Sequence, residues 1–168
     1  MSNETIRVPL SRALKIKNRM AQRLGELDEL MVNYNSLPLG QMEYDVRQLL
    51  RERLELSMHL VELKTAISQA NQPVQKTIFE MAECKALVAM LRRVSTKHGP
   101  VVEGYQSTRI DYAAQMRKTD IDREVRRVEK EIDRLQDILD RFNYQTAIAI
   151  DQKLFAAYGA EPGKDSAH

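Results

Sequence analysis

The sequence predicts a mainly α fold: about four long, antiparallel, coiled-coil-like helices, with a small β-hairpin inserted before the last long helix. Three observations carry this prediction. Apolar residues recur at alternating steps of four and three over several long stretches, the spacing of a helix face seated on a partner. Proline, which breaks helices, occurs only five times in 168 residues, always outside those stretches. One region, residues 99–118, abandons that rhythm for a period of two.

The first helix is expected from Leu10 to Tyr34, with Pro9 at its start, where a missing N–H costs nothing. Its seam reads Met20, Leu24, Leu27, Met31 and Tyr34, and the loop Asn35 to Gly40 ends it. The second helix is expected from Glu43 to Ala70. Leu49, Leu56, Leu60, Leu63, Ile67 and Ala70 form its seam, while Leu50, Leu54 and Val61 widen the stripe enough for two neighbours. Asn71-Gln72-Pro73 stops it, with Asn71 suited to a left-handed cap.

The third helix opens on Thr77 and Glu80, spaced as a capping box, and closes at His98-Gly99-Pro100. Met81, Cys84, Leu87, Val88, Leu91 and Val94 form its inner face. In the insert, Ile110, Tyr112, Ala114 and Met116 alternate with polar or small residues and predict a strand, with Val101 to Glu103 as its hairpin partner. The fourth helix keeps the four-three rhythm from Ile121 through Val125, Val128, Ile132, Leu135 and Leu139 to Phe142. Run from Asp120 to Ile150 it is roughly 45 Å long. Ion pairs Arg127–Glu131 and Asp137–Arg141 are expected on its outer face. Residues 147–158 prolong it or form a short extra helix. Residues 1–158 read as one helical domain, and the small polar stretch 159–168 as a disordered tail.

The charge balance is close, with 26 basic and 24 acidic side chains and a net charge of +2. That gives no broad positive field for nucleic acid or anionic lipid. No stretch approaches the roughly 18 apolar residues that span a bilayer. The N-terminus has no apolar core of a secretory signal, and the single Cys84 forms no internal disulfide. Together these point to a cytoplasmic protein without a membrane partner.

Chemistry-bearing residues are sparse. His59, His98 and His168 lie in no metal-binding spacing. Gly99, Gly104, Gly159 and Gly163 match no phosphate-loop spacing. Asp133, Asp137 and Asp140 share an outward face, the pattern of a solvated charge surface. No cofactor is expected. The feature left over is basic: no acidic residue falls between positions 5 and 25, and Arg12, Lys15 and Arg19 share one outer face of the first helix. Such a stripe neutralises phosphates or pairs with an acidic face of a neighbouring helix or subunit.

Three segments resemble the septicolysin-like family of small bacterial proteins: Leu63 to Asn71; Tyr105 to Met116 leading into Thr119-Asp120-Ile121; and Leu135 to Phe142 followed by Asn143-Tyr144-Gln145-Thr146-Ala147-Ile148. The similarity covers residues 8 to 150. In that family tryptophan often stands where this chain has Tyr144. The resemblance implies a long-helix fold with a small β element and self-association, and transfers no catalytic residue. The pore-forming activity suggested by the family name is not expected, because no amphipathic β segment is long enough to build a barrel.

The expected function is therefore that of a non-enzymatic, self-associating helical module, a homo-oligomer presenting a surface to a protein partner. Nucleic-acid binding through Arg12, Lys15 and Arg19 is the second reading. An enzyme with a site between subunits, built from His98, Tyr105 and Arg109, is the third. Far-ultraviolet circular dichroism should report helix in about two-thirds of the residues or more; a strand-dominated spectrum would end the architectural argument.

Overall fold

The computed structural model describes residues 4–41, 43–103 and 108–159. The tail expected at 160–168 and Tyr105 lie outside the described residues. The fold is mainly α, with five α-helices and two short antiparallel ribbons among the described residues. The chain divides into two compact units, Met1–Pro73 with Arg141–His168, and Val74–Asp140.

The first unit is built around α1 (Leu10–Tyr34). Leu10, Ala13, Ile16, Met20 and Leu27 repeat at helical spacing, and none of them has any surface left exposed. α2 (Val46–Ala70) answers with Leu56, Leu60, Leu63 and Ile67 in the same core. Two ion pairs flank the seam, Arg23 to Glu52 at 2.8 Å and Arg53 to Asp28 at 2.9 Å. Both join the second half of α1 to the start of α2, so the helices run antiparallel. Asp45 begins α2 by accepting from the backbone N–H groups of Arg47 and Gln48.

A ribbon closes this unit. β1 (Thr5–Pro9) pairs antiparallel with β4 (Ala147–Asp151), with Val8 opposite Ile148 and Ile6 opposite Ile150. Val8, Ile148 and Ile150 are buried in the core of α1 and α2. The Leu10 N–H donates to the Thr146 carbonyl at 2.7 Å, and the Gln152 N–H to the Glu4 carbonyl at 2.9 Å, which continue the pairing at both ends. The short helix α5 (Gln152–Tyr158) follows, capped by Asp151 and ending at Gly159. A side chain at Gly159 would collide with the Phe155 carbonyl and ring, so the end of α5 requires glycine.

The second unit pairs α3 (Gln75–Leu91) with α4 (Lys118–Gln145), whose last residues from Arg141 belong to the first unit. Val88, Leu91, Ile121, Val125 and Val128 form its core, with Cys84 and Ile132 packed against them. Arg92 reaches Glu129 at 2.6 Å. Between the helices stands the hairpin of β2 (Gly99–Glu103) and β3 (Thr108–Tyr112), with Gly99 opposite Tyr112 and Val102 opposite Arg109.

Several expectations are corrected. The fourth helix stops at Gln145 instead of running to Ile150, because Ala147-Ile148-Ala149-Ile150 has period two and buries Ile148 and Ile150 on one face against β1. The third helix ends at Leu91, where a tight turn bonds Arg93 to Met90 and Val94 to Leu91; Leu87 and Val94 are exposed. His98 therefore lies beyond the helix, and Gly99, at φ +80°, opens β2 and does not cap a helix. Thr77 and Glu80 fall inside α3, which starts without a side-chain cap. Asn71 ends α2 in the right-handed region, since a 3-10 turn at Gln72–Val74 carries the chain onward. The second helix starts at Val46, behind the Asp45 cap. On α4 Arg127 pairs with Glu124 instead of Glu131, and Arg134 with Glu131, both at i,i+3, while Lys118 pairs with Asp122 at i,i+4.

Core and cap are separately testable. Leu27→Ala should cost about 2–5 kcal/mol in denaturant unfolding, the range for a truncated buried leucine, and Asp45→Ala about 1 kcal/mol from the lost cap. A Leu27→Ala loss below that of Asp45→Ala would remove Leu27 from the core.

Candidate functional site

On the first unit, α2 has two apolar faces. One is the seam against α1. The other carries Leu50, Leu54, Met58 and Val61, which are 43, 54, 64 and 63% exposed. At 3.6 residues per turn these four fall within an arc of about 80°. Arg51 and Glu62 border the same edge of this stripe, both exposed and without an ion pair among the described residues. The excess of Leu50, Leu54 and Val61 on α2 predicts a second neighbour over them; among the described residues all three stay exposed. Met58 completes the stripe. Contiguous exposed apolar patches of a few hundred Å² mark interaction sites more often than bare surface.

The basic stripe lies on α1 in the same unit. Arg12 donates to the Gly159 carbonyl at 2.6 Å and stacks over the Phe155 ring at 5.1 Å. Arg19 donates to the Tyr158 carbonyl at 2.7 Å. Two guanidinium groups thus sit on the last carbonyls of α5, where cations are favoured by the helix dipole. Lys15, between them, is exposed and makes no bond among the described residues. Together with Ser11, Ile16, Tyr144 and Gly159 they line a cleft of about 260 Å³. Arg23, the next cation along α1, is bound to Glu52 and Glu26. No sequence signal marks the capping of α5, because the acceptors lie more than a hundred positions away along the chain.

In the second unit His98 accepts at Nδ1 from the Ala114 N–H at 3.2 Å. Arg109 is exposed opposite Val102, three register steps from the Gly99 end of the hairpin, or about 10 Å at the usual strand rise. The hairpin therefore spaces His98 and Arg109 apart along its length. Its polar cluster is a different one: Lys97 and Tyr112 both donate to Glu103, Tyr112 at 2.8 Å, and the Lys97 ammonium lies over the Tyr112 ring. Sequence reasoning missed this trio because its side chains meet without being register partners: Glu103 stands opposite Thr108 and Tyr112 opposite Gly99. A broad groove of about 720 Å³ along α3 and α4, lined by Phe79, Cys84 and Leu135, carries its own ion pairs at Lys76–Glu80 and Arg134–Glu131. Among the described residues no three His, Cys, Asp or Glu side chains cluster as metal ligands, and no helix is long and apolar enough to cross a membrane.

No family model, no curated protein and no solved structure matches the chain.

Hydrogen bonds from Lys97, then Tyr112, hold the Glu103 carboxyl below its usual range. The same carboxylate pushes the Tyr112 phenol and the Lys97 ammonium up. A depressed carboxylate stabilises the folded hairpin above the ordinary carboxylate range and loses that effect as pH falls through its folded value. The two raised groups act oppositely, losing theirs as pH rises through their own titrations. Hairpin amide protection, followed by hydrogen exchange, should therefore be greatest between the carboxylate and the Lys/Tyr ranges. Glu103→Gln should flatten the acid limb; an unchanged acid limb in that variant would remove Glu103 from the account.

Proposed function

We propose that the protein is a non-enzymatic, self-associating helical module, and that two copies join through the outer stripe of α2. The observation that carries this reading is the exposure of Leu50, Leu54, Met58 and Val61 on a helix whose other face is already committed to α1. Charge chooses the occupant and its direction. When two copies of one helix pack antiparallel about a twofold axis, like edges face each other; when they pack parallel, opposite edges do. An axis between Leu54 and Met58 sets Leu54 on the partner's Met58 and Leu50 on the partner's Val61. It also places Arg51 beside the partner's Glu62, and by symmetry does so twice. Parallel packing would instead turn Arg51 toward the edge that carries Arg53 and Lys64. The stripe is thus self-complementary in one direction only. Self-association of a long-helix protein is also what the resemblance to the septicolysin-like family implies.

Sedimentation velocity with charge-swapped variants tests this. The native chain should sediment as a dimer or a multiple of it. Leu54→Glu with Met58→Glu should reduce the mass to one chain while leaving the helical spectrum intact, since both side chains are outside the core. Arg51→Glu and Glu62→Arg should each weaken association about tenfold, and together restore it. A native protein that stays monomeric, or an oligomer indifferent to the Leu54/Met58 change, overturns the proposal.

A further inference from the structure

The cleft on α1 supports a second and independent assignment. We propose that it binds a small phosphate monoester carrying a flat ring, of nucleoside monophosphate type. The cations converge on a concave site and not on a track. Arg12, Lys15 and Arg19 are on the same face of α1, no carboxylate lines the cleft among the described residues, and Tyr144 stands at it with its side chain 77% exposed. Arg12 is held before any ligand arrives: one N–H is fixed on the Gly159 carbonyl and the guanidinium carbon lies over the Phe155 ring. A guanidinium presents five donors, so the fork retains others for a phosphate. Lys15 adds a point charge that no described residue neutralises. The Ser11 hydroxyl supplies a neutral donor at the same wall.

The ring comes from Tyr144. An aromatic side chain left largely in solvent beside a cationic wall is the arrangement on which a flat ring stacks. Size sets the class. At about 260 Å³ the cleft falls below the roughly 300–1,000 Å³ of pockets that enclose whole ligands, so it seats the phosphate end while the ring lies outside on the exposed Tyr144. A polymer is disfavoured by the neighbouring charges. Arg23, which would extend the stripe along α1, is already paired with Glu52 and Glu26, and the whole chain carries only +2. A strand of nucleic acid needs cations at successive phosphates.

The test is calorimetric titration of the full chain with adenosine 5′-monophosphate, inorganic phosphate and adenosine, and with a single-stranded oligonucleotide at two salt concentrations. The monophosphate should bind one per chain, and its two halves should each bind at least about tenfold more weakly. Lys15→Ala and Tyr144→Ala should each weaken the monophosphate about tenfold, the effect of one charge-assisted contact or one stacked ring. Neither residue is in the core or in the α2 stripe, so thermal stability and sedimented mass should stay as in the native chain. Lys15→Ala should affect inorganic phosphate and leave adenosine alone; Tyr144→Ala should do the reverse. Absence of binding at millimolar monophosphate, or binding that survives both substitutions, overturns the assignment. Oligonucleotide binding that is far tighter than the monophosphate and steeply salt-dependent overturns it in favour of a nucleic-acid surface.

Discussion

α1 has to be covered on several sides at once. Its residues Leu10, Ala13, Ile16, Met20 and Leu27 have no exposed surface, and no single helix can achieve that. α2 covers one flank, and the β1–β4 ribbon with α5 covers another. Full burial of a Leu, Ile or Met side chain is worth about 1.5–3 kcal/mol. The ribbon adds little through two short strands in isolation, which are marginal in water. It is held because Val8, Ile148 and Ile150 complete the enclosure of α1. The segment at residues 5–9 and the segment at residues 147–159 are therefore brought together by the demands of one helix.

That constraint explains what is left outside. A helix enclosed on its apolar side must turn its polar side outward, and the first half of α1 is basic there. Some of those cations acquire structural partners by proximity. Arg23 meets Glu52 on α2, and Arg12 and Arg19 meet the carbonyl end of α5. α2 is in the opposite position. It lies at the edge of the enclosure, so only one of its two apolar faces is used, and Leu50, Leu54, Met58 and Val61 remain in solvent. The exposed stripe follows from that peripheral place.

The legible parts of the fold were those whose signal is local. The limits of α1 follow from Pro9 and the loop after Tyr34, and the hairpin before α4 follows from alternation and glycine. The stripe of α2 was readable as an excess of leucine and valine beyond one seam. What escaped was long-range. β1 has only five residues, and its pairing with β4 depends on a partner at the far end of the sequence. Ala147 to Ile150 carries the strand period, but it follows directly on the strongest helical rhythm of the chain, and that rhythm masked it. Arg12 and Arg19 looked like a surface stripe because their acceptors are backbone carbonyls, which every residue has and no sequence pattern announces.

The two surfaces on the first unit also differ in what holds them. The α2 stripe needs only a straight helix, fixed by its seam and by Asp45, so it should persist wherever α2 is folded. The cleft needs more: α5 must end at Gly159, the ribbon must hold α5 against α1, and Tyr144 must follow in register from the end of α4. It is assembled from segments that meet only when the enclosure of α1 is complete. A compact anion seated there would contact α1 while touching the end of α5, so it would favour the closed ribbon over an open one by its binding free energy. The stripe has no such linkage, because neither β1 nor α5 contributes to it. The proposed association through α2 and the proposed anion binding at α1 would thus be separable, and only the second would report on whether that framework is closed.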